Sequence, residues 1–385
     1  MAKILYHHRT ASRDGQRVHI DEMVHAWKAA GHEVVMVEPG AASDGAMGKT
    51  SGLIKTLKSY LPGALYELAE LIYSIPAYVK LYAAYRRERP DFLYERYQSF
   101  MLAGRWLAKT TGIVFLSEVN APLTQERQSH GTLKLPGLAG ACDGLIWRAA
   151  DQVLPVTQVL AGYVTEKGVP AERITVIPNG ANMDLLSKAP SVDEAKETVG
   201  LAGATVLGFT GFIREWHGID RVLPLLEARP ETALLVVGDG PARASIEAQA
   251  KERGVDERVH FTGFVERADV PRYVAAFDVA LQPDVVEYAS PLKLFDYLGL
   301  GKPVVAPDTP NIREVLTQGD NALLFDAADE EAFTRCVDAL LADPQLQARL
   351  SDASYATIAK GGYKWRKNAA RVIGLYEDIK KERRS

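Results

Sequence analysis

The chain has 385 residues, 47% of them hydrophobic and 24% charged, with a net charge of −4 and two cysteines. One ordinary core does not extend over that length, so two domains are expected. Two cysteines give no disulfide framework and the slightly acidic balance gives no footprint for nucleic acid, so the expected setting is reducing and cytoplasmic.

The start, MAKILYHH, reads as a strand and not as a charged region followed by a long apolar one, so no signal peptide is expected. A loop from Arg9 to about Arg17, a helix over HIDEMVHAWKAAG and a strand at HEVVMVEP complete a β-α-β unit. An irregular stretch, residues 40–58, precedes one or two amphipathic helices that end at Arg87. The most apolar region, residues 61–85, holds Glu67, Glu70, Lys80 and two prolines, so it does not span a bilayer. Strands follow at DFLYE and GIVFLSE, then a loop over VNAPLTQERQSHGTLKLPG. A helix over DGLIWRAA, a strand at QVLPV, a helix over VLAGYVTEKG and a strand at ITVIPNG end the first half.

The pattern resets near PNGANMD, which places the hinge there. Strands are expected at TVLGFTG, ALLVVGDG, VHFTGF, DVALQP, KPVVA and NALLF, with helices between them and a helix from Glu330 to Leu341. The final GYKWRKNAARVIGLYEDIKKERR is a long amphipathic helix with a basic end. Strand-helix alternation twice over predicts an α/β protein with two open parallel sheets, each covered by helices. Such sheets bind ligands beyond the carboxyl ends of their strands.

Within this frame the segment EYASPLKLFDYLGLGKPVVAPD is overbuilt for plain core. Ser290 and Pro291 read as a hydroxyl N-cap and a proline at the first helical position. Lys293 and Asp296, three apart, share one face of the helix. A cation in a first turn opposes the helix dipole, which makes sense if an anion binds there too. GFTGFIREWHGID follows a strand and precedes a helix. Gly208 and Gly211 allow close backbone approach there, and Arg214, Trp216 and His217 stand where a ligand would meet the next helix. The plain alternative is a turn with a surface arginine and a packing tryptophan. VVGDGP, with Gly238, is either a tight turn or a second ligand contact. Glu118 in SEVNAP is either a solvated loop carboxylate or a functional one at a strand end. GAMGKT imitates a phosphate loop, but the first glycine of that motif is Ser43 here, so a plain loop is expected.

Taken in order, these segments resemble the retaining family 4 glycosyltransferases of the GT-B fold. The resemblance rests on GFTGFIREWHGID, VVGDGP, VHFTGFV, VPRYVAAFDVALQP, SPLKLFDYLGLGKPVVA, VIPNGAN and YKWRKNAARVIGLYE, and more loosely on DGQRVHIDEMVHAWKAAGHEV. It implies two Rossmann-like domains facing across a cleft, with a C-terminal helix returning to the first domain. The corresponding boundaries are residues 1–180 for an acceptor-side domain, 181–358 for a nucleotide-sugar-binding domain and 359–385 for the returning helix. The implied activity is hexose transfer, with retention, from a nucleotide-sugar donor to a hydroxyl acceptor in polysaccharide or glycolipid assembly. The nucleotide sugar is then a co-substrate, with no cofactor and no metal. The lack of any Asp-x-Asp agrees with the last point.

The resemblance also implies roles. Asp296 matches the second signature glutamate, expected on the ribose hydroxyls. The first glutamate falls on Tyr288, with Glu287 one residue early, so the donor-sugar contact belongs to one of these two. Ser290, Pro291 and Leu292 match the turn whose amides hold the donor phosphates, with one N–H lost at Pro291. The family's arginine and lysine fall on Phe212 and His217, with Arg214 two residues after Phe212. Lys293 is expected to supply the missing charge, so that Lys293 and Arg214 flank the diphosphate and stabilise its departure. Gly211 and Gly238 belong to the donor side. Glu118 maps near the reacting sugar, to bind a sugar hydroxyl or orient the acceptor. Gly15, with Asp14 and His19 beside it, resembles the glycine loop that closes over the phosphates.

The alternative is a non-catalytic nucleotide-sugar-binding or regulatory protein on the same fold. For a phosphorylase, no lysine stands in a pyridoxal context. Residues 51–87 are tyrosine-rich, apolar on one face and basic at both ends. They read either as helices packed on the first sheet or as a peripheral contact with the inner membrane face. The acceptor is accordingly a glycan, a lipid-linked glycan or a small-molecule hydroxyl, and the donor base and sugar stay open.

Overall fold

The computed structural model describes residues 1–11, 15–39 and 62–384. Its contacts divide into two units. One is Met1–Pro178 with Tyr288–Ser290 and Trp365–Ser385; the other is Asn179–Glu287 with Pro291–Lys364.

Among the described residues the first unit holds five parallel strands: β1 (Lys3–His7), β2 (Glu33–Val37), β3 (Phe92–Arg96), β4 (Val114–Val119) and β5 (Gln152–Pro155). Their order is β2-β1-β3-β4-β5. The second unit holds β6 (Thr205–Thr210), β7 (Thr232–Val237), β8 (Val259–Phe261), β9 (Val279–Leu281), β10 (Val304–Pro307) and β11 (Ala322–Phe325). These are also parallel, in the order β11-β10-β9-β6-β7-β8. The interior strand β7, TALLVV, is buried along its whole length, as helix cover on both faces requires.

The helices Gly15–Ala29 and Trp365–Glu382 pack together in the first unit. Trp27 meets Tyr6 and Tyr94 edge-on at 5.9 and 5.0 Å, and its indole N–H donates to the Ala369 carbonyl at 3.2 Å. Tyr376 stacks on Phe92 at 4.8 Å. The expected return of the C-terminal helix to the first unit is therefore an aromatic dock.

Some elements differ from expectation. The segment ITVIPNG forms one bridge, Val153↔Ile174, and no strand. Thr175 and Ile177 donate to the carbonyls of Val153 and Pro155, but Pro155 has no N–H to return the ladder. Helices at Ala103–Thr111 and Leu123–Ser129 were not expected; the second, LTQERQS, carries almost no apolar period. Helix Pro344–Lys360 had its signals in place, an Asp343 N-cap and a proline at the first position. The first helix begins at Gly15, earlier than the apolar period indicates. GAMGKT, Asp14 and the first part of residues 51–87 lie outside the described residues.

Gly208 shows how tightly β6 is packed: a Cβ there would lie 2.0 Å from the ring of the buried Phe277. Gly208→Ala is expected to destabilise the protein by about 1–3 kcal/mol through overpacking. Gly374, mid-helix with nothing within 4 Å of its Cβ position, should respond oppositely. Gly374→Ala should stabilise by about 0.5–1 kcal/mol. Denaturant unfolding of both variants checks the contrast.

Candidate active site

The second unit gathers its candidate residues at the carboxyl ends of β6 and β7. β6 runs into Gly211 at φ +140° and β7 into Gly238 at φ +144°, conformations that favour glycine. Space imposes the same choice. A Cβ at Gly238 would stand 2.1 Å from the Gly211 carbonyl oxygen, and one at Gly240 would stand 2.2 Å from that of Ile213. The two turns thus pack backbone on backbone, which fixes the segment after β6. Gly238 has this tight-turn role.

Helix Leu292–Gly299 starts beside that segment. A Cβ at Gly211 would lie 3.5 Å from Lys293 Cε and 3.7 Å from Nζ. The helix begins one residue later than expected: Pro291 is its N-cap, and no side chain caps it. The amides of Leu292 and Lys293 therefore fall in the first turn, where helical N–H groups lack internal acceptors. Lys293 Nζ sits 3.8 Å from the centroid of the Phe209 ring. It has no carboxylate partner among the described residues. Burial lowers its pKa to about 7. The ring offsets part of that cost, and the helix dipole adds to it.

His217 is buried between Phe209 and Trp216. Burial, with the charges of Lys293 and Arg214, holds its pKa far below the ordinary value, so the ring is neutral at pH 7. Its Nδ1 accepts the Arg214 backbone N–H at 3.1 Å, which leaves the proton on Nε2. The exposed Arg214 lays its guanidinium 5.1 Å from the Phe212 ring centroid. Asp296, expected to face ribose hydroxyls, is buried and already paired. Arg267 grips both of its oxygens, at 2.6 and 2.8 Å. Glu287 is exposed, with no hydrogen-bond or ion partner among the described residues.

In the first unit Glu118 is neither a loop carboxylate nor a free one. It lies within β4, where register places it beside Arg96 of β3. Arg96 Nη1 donates to it at 2.5 Å, the Asn120 amide donates to the same oxygen, and Tyr6 donates to the other at 3.4 Å. His19 Nε2, from helix Gly15–Ala29, stands 3.0 Å away. Burial alone would raise its pKa, but His19 and Arg96 override that and hold it well below the usual carboxylate range. A carboxylate this occupied positions its neighbours and is a poor base. On the opposite face of the sheet His7 Nδ1 lies 2.6 Å from Glu95, its register neighbour on β3.

Three further expected residues also fall in the first unit. Gly15 is the exposed first residue of its helix. Tyr288 donates its hydroxyl to Glu126, and its carbonyl accepts from Thr157 Oγ1 at 3.0 Å. Ser290 goes with it. The structure therefore brings together Gly211, Phe212, Arg214, His217, Gly238, Pro291, Leu292 and Lys293, with Asp296 on the same helix as Lys293. It does not bring Glu287 into contact with them, and it places Gly15, Glu118, Tyr288 and Ser290 in the other unit.

Two family models match, "Glycosyl transferase 4-like domain" over residues 14–180 and "Glycosyl transferases group 1" over residues 204–343. Each covers one of the two α/β units. The chain belongs to the family 4 glycosyltransferases, of GT-B fold.

This glycosyltransferase is 30% identical over 63% of its length to a 2-deoxystreptamine glucosyltransferase of Streptomyces kanamyceticus, spanning 65% of that protein. It is 28% identical over 61% of its length to a GDP-mannose-dependent alpha-(1-6)-phosphatidylinositol monomannoside mannosyltransferase of Mycolicibacterium smegmatis, spanning 64% of that protein. The matched part is thus less than two thirds of each of these relatives. Among solved structures, HepE of Anabaena in complex with UDP superposes with a TM-score of 0.75 at 18% identity, covering 98% of this chain and 100% of that one.

Reading the sequence missed Arg267, Phe209 and Arg96, and set His19 beside the glycine loop at Gly15, whereas its ring lies against Glu118. Arg267 lies 29 positions before its partner with no shared spacing. Arg96 was within reach, because parallel register alone sets it beside Glu118. Asp296→Asn is expected to lower stability by about 1–3 kcal/mol, because Arg267 loses a charged, doubly bonded partner. A double-mutant cycle with Arg267→Met, followed by thermal melting, should return a coupling of that size.

Proposed function

We propose that this glycosyltransferase moves a hexose from a nucleoside-diphosphate sugar to a hydroxyl of a glycolipid or polysaccharide precursor, with retention and without a metal ion. One observation carries the reading: the Lys293 ammonium lies at a helix N-terminus, beside Gly211, with no carboxylate partner among the described residues. A cation placed so at a cost is stabilised when a diphosphate arrives. The first-turn amides of Leu292 and Lys293 add neutral donors. The Nε2–H of His217 adds another. As the bond from the anomeric carbon to the diphosphate oxygen breaks, negative charge grows on the departing phosphate. Lys293 and Arg214 stabilise it. The acceptor oxygen bonds to the same carbon, and its proton passes to the departing phosphate. The UDP bound by HepE and the GDP-mannose used by the mycobacterial relative support a nucleotide donor. The phosphatidylinositol mannoside acceptor of that relative supports a lipid-linked acceptor.

Lys293→Met should cut kcat more than it raises donor KM, while Tm stays near wild type. Wild-type turnover in a folded Lys293→Met enzyme would overturn the assignment. Activity should also survive EDTA, and loss restored by magnesium or manganese would contradict metal independence.

Proton linkage gives an independent check. With a pKa of about 7, Lys293 is largely neutral at pH 8 in the free protein. A bound diphosphate favours the charged form, so binding takes up a proton. Affinity for UDP should fall as pH rises above 7, by at most about tenfold per pH unit for one proton. Calorimetry at pH 8 in buffers of different ionisation enthalpy should show the uptake, and Lys293→Met should abolish it.

A further inference from the structure

We propose that Arg267 makes the donor site indifferent to the ribose 2′-hydroxyl, so that the enzyme takes 2′-deoxyribonucleoside diphosphates as readily as ribonucleoside ones. The inference rests on the reading of Lys293 as the diphosphate contact and extends it to the group that follows the diphosphate.

The helix sets the order of contacts. Lys293 and Asp296 share one face of helix Leu292–Gly299, three residues apart. With a diphosphate at the first turn, the pentose bonded to it comes level with position 296, about one turn or 5 Å further on. A carboxylate at that place can select for a hydroxyl only if it needs one.

Asp296 has its donors already. Arg267, from the segment after β8, donates from Nη1 to one carboxylate oxygen at 2.6 Å and from Nη2 to the other at 2.8 Å. Both bonds are charge-assisted, and the fork matches the plane of the carboxylate. The Asp296 side chain is 7% exposed and that of Arg267 25%. The pair therefore presents guanidinium more than carboxylate to a ligand.

Selectivity for a hydroxyl comes from the partner that its absence strands. A site rejects a deoxy analogue when a buried acceptor is left without a donor, and the penalty is largest for an ion. Here both oxygens keep their donors whether or not a 2′-hydroxyl arrives. A hydroxyl that reaches a further lone pair of either oxygen adds a bond, yet removing it strands nothing. Lys293 is the contrast. No carboxylate among the described residues meets its charge, so it demands an anion. The site is strict about the diphosphate and lax about the pentose that carries it.

Calorimetric titration of the full chain with free nucleotides tests this. UDP, GDP and ADP are each compared with their 2′-deoxy forms, so that each pair differs by one hydroxyl alone. For whichever base binds, the wild-type Kd values of a pair should agree within about threefold. Arg267→Met should strand the Asp296 carboxylate and create a preference for the ribonucleotide of at least about tenfold. Arg267→Met/Asp296→Leu removes the stranded ion and should bring the pair back within about threefold. A loss of packing alone would weaken both nucleotides of a pair equally, so the ratio separates selection from a structural role. A wild-type preference for the ribonucleotide of about tenfold or more would overturn the proposal and leave the donor reading standing. So would a folded Arg267→Met protein whose ratio matches wild type. Should Arg267→Met fail to fold, the wild-type ratio still decides. Binding of none of these nucleotides would overturn the donor reading, and the proposal with it.

Discussion

The backbone contact between Gly211 and Gly238 is the constraint on which the second unit's site depends. No side chain fits between these two turns, so the segment after β6 is held flat against the end of β7. That leaves Gly211 beside the first turn of helix Leu292–Gly299. It also carries Arg214 and His217 to the same end of the sheet. Remove the contact and the cationic side chains would no longer have a fixed relation to the helix N-terminus.

Charged groups with little solvent contact are handled in two ways. Glu118 is surrounded by donors until nothing is left unmatched, and its environment favours the ionised form. Asp296 is matched by Arg267 in a forked geometry. Lys293 has an aromatic face and, among the described residues, no carboxylate. A matched buried ion fixes structure, whereas an unmatched one stores a preference for a ligand of opposite sign. This difference directs the functional reading to Lys293 and gives Glu118 a positioning role.

Fold likeness and site likeness separate clearly here. HepE shares the architecture across nearly the whole chain at 18% identity, a level at which the fold is common property and roles are not. The charge expected at positions 212 and 217 is absent, because Phe212 and His217 stand there, and a lysine on another element approaches the same glycine turn. Positive charge at a site constrains the place of an ammonium group and leaves free the strand or helix that delivers it.

The sequence alone determined the α/β class, the two sheets, most strands and the reset between the halves, because alternating apolar runs and glycine turns are local signals. It also singled out Lys293, because a cation in a first turn conflicts with the dipole within four residues of chain. Only the tertiary structure decided the partners. Arg267 on Asp296, Arg96 and His19 on Glu118, and Phe209 under Lys293 are contacts between distant segments, and no spacing announces them. The same holds for ITVIPNG, whose β-branched residues favour a strand that the missing N–H of Pro155 prevents. It holds for residues 63–88 as well. The sequence reads as one apolar face, and only packing reveals that one apolar row is buried and another meets solvent.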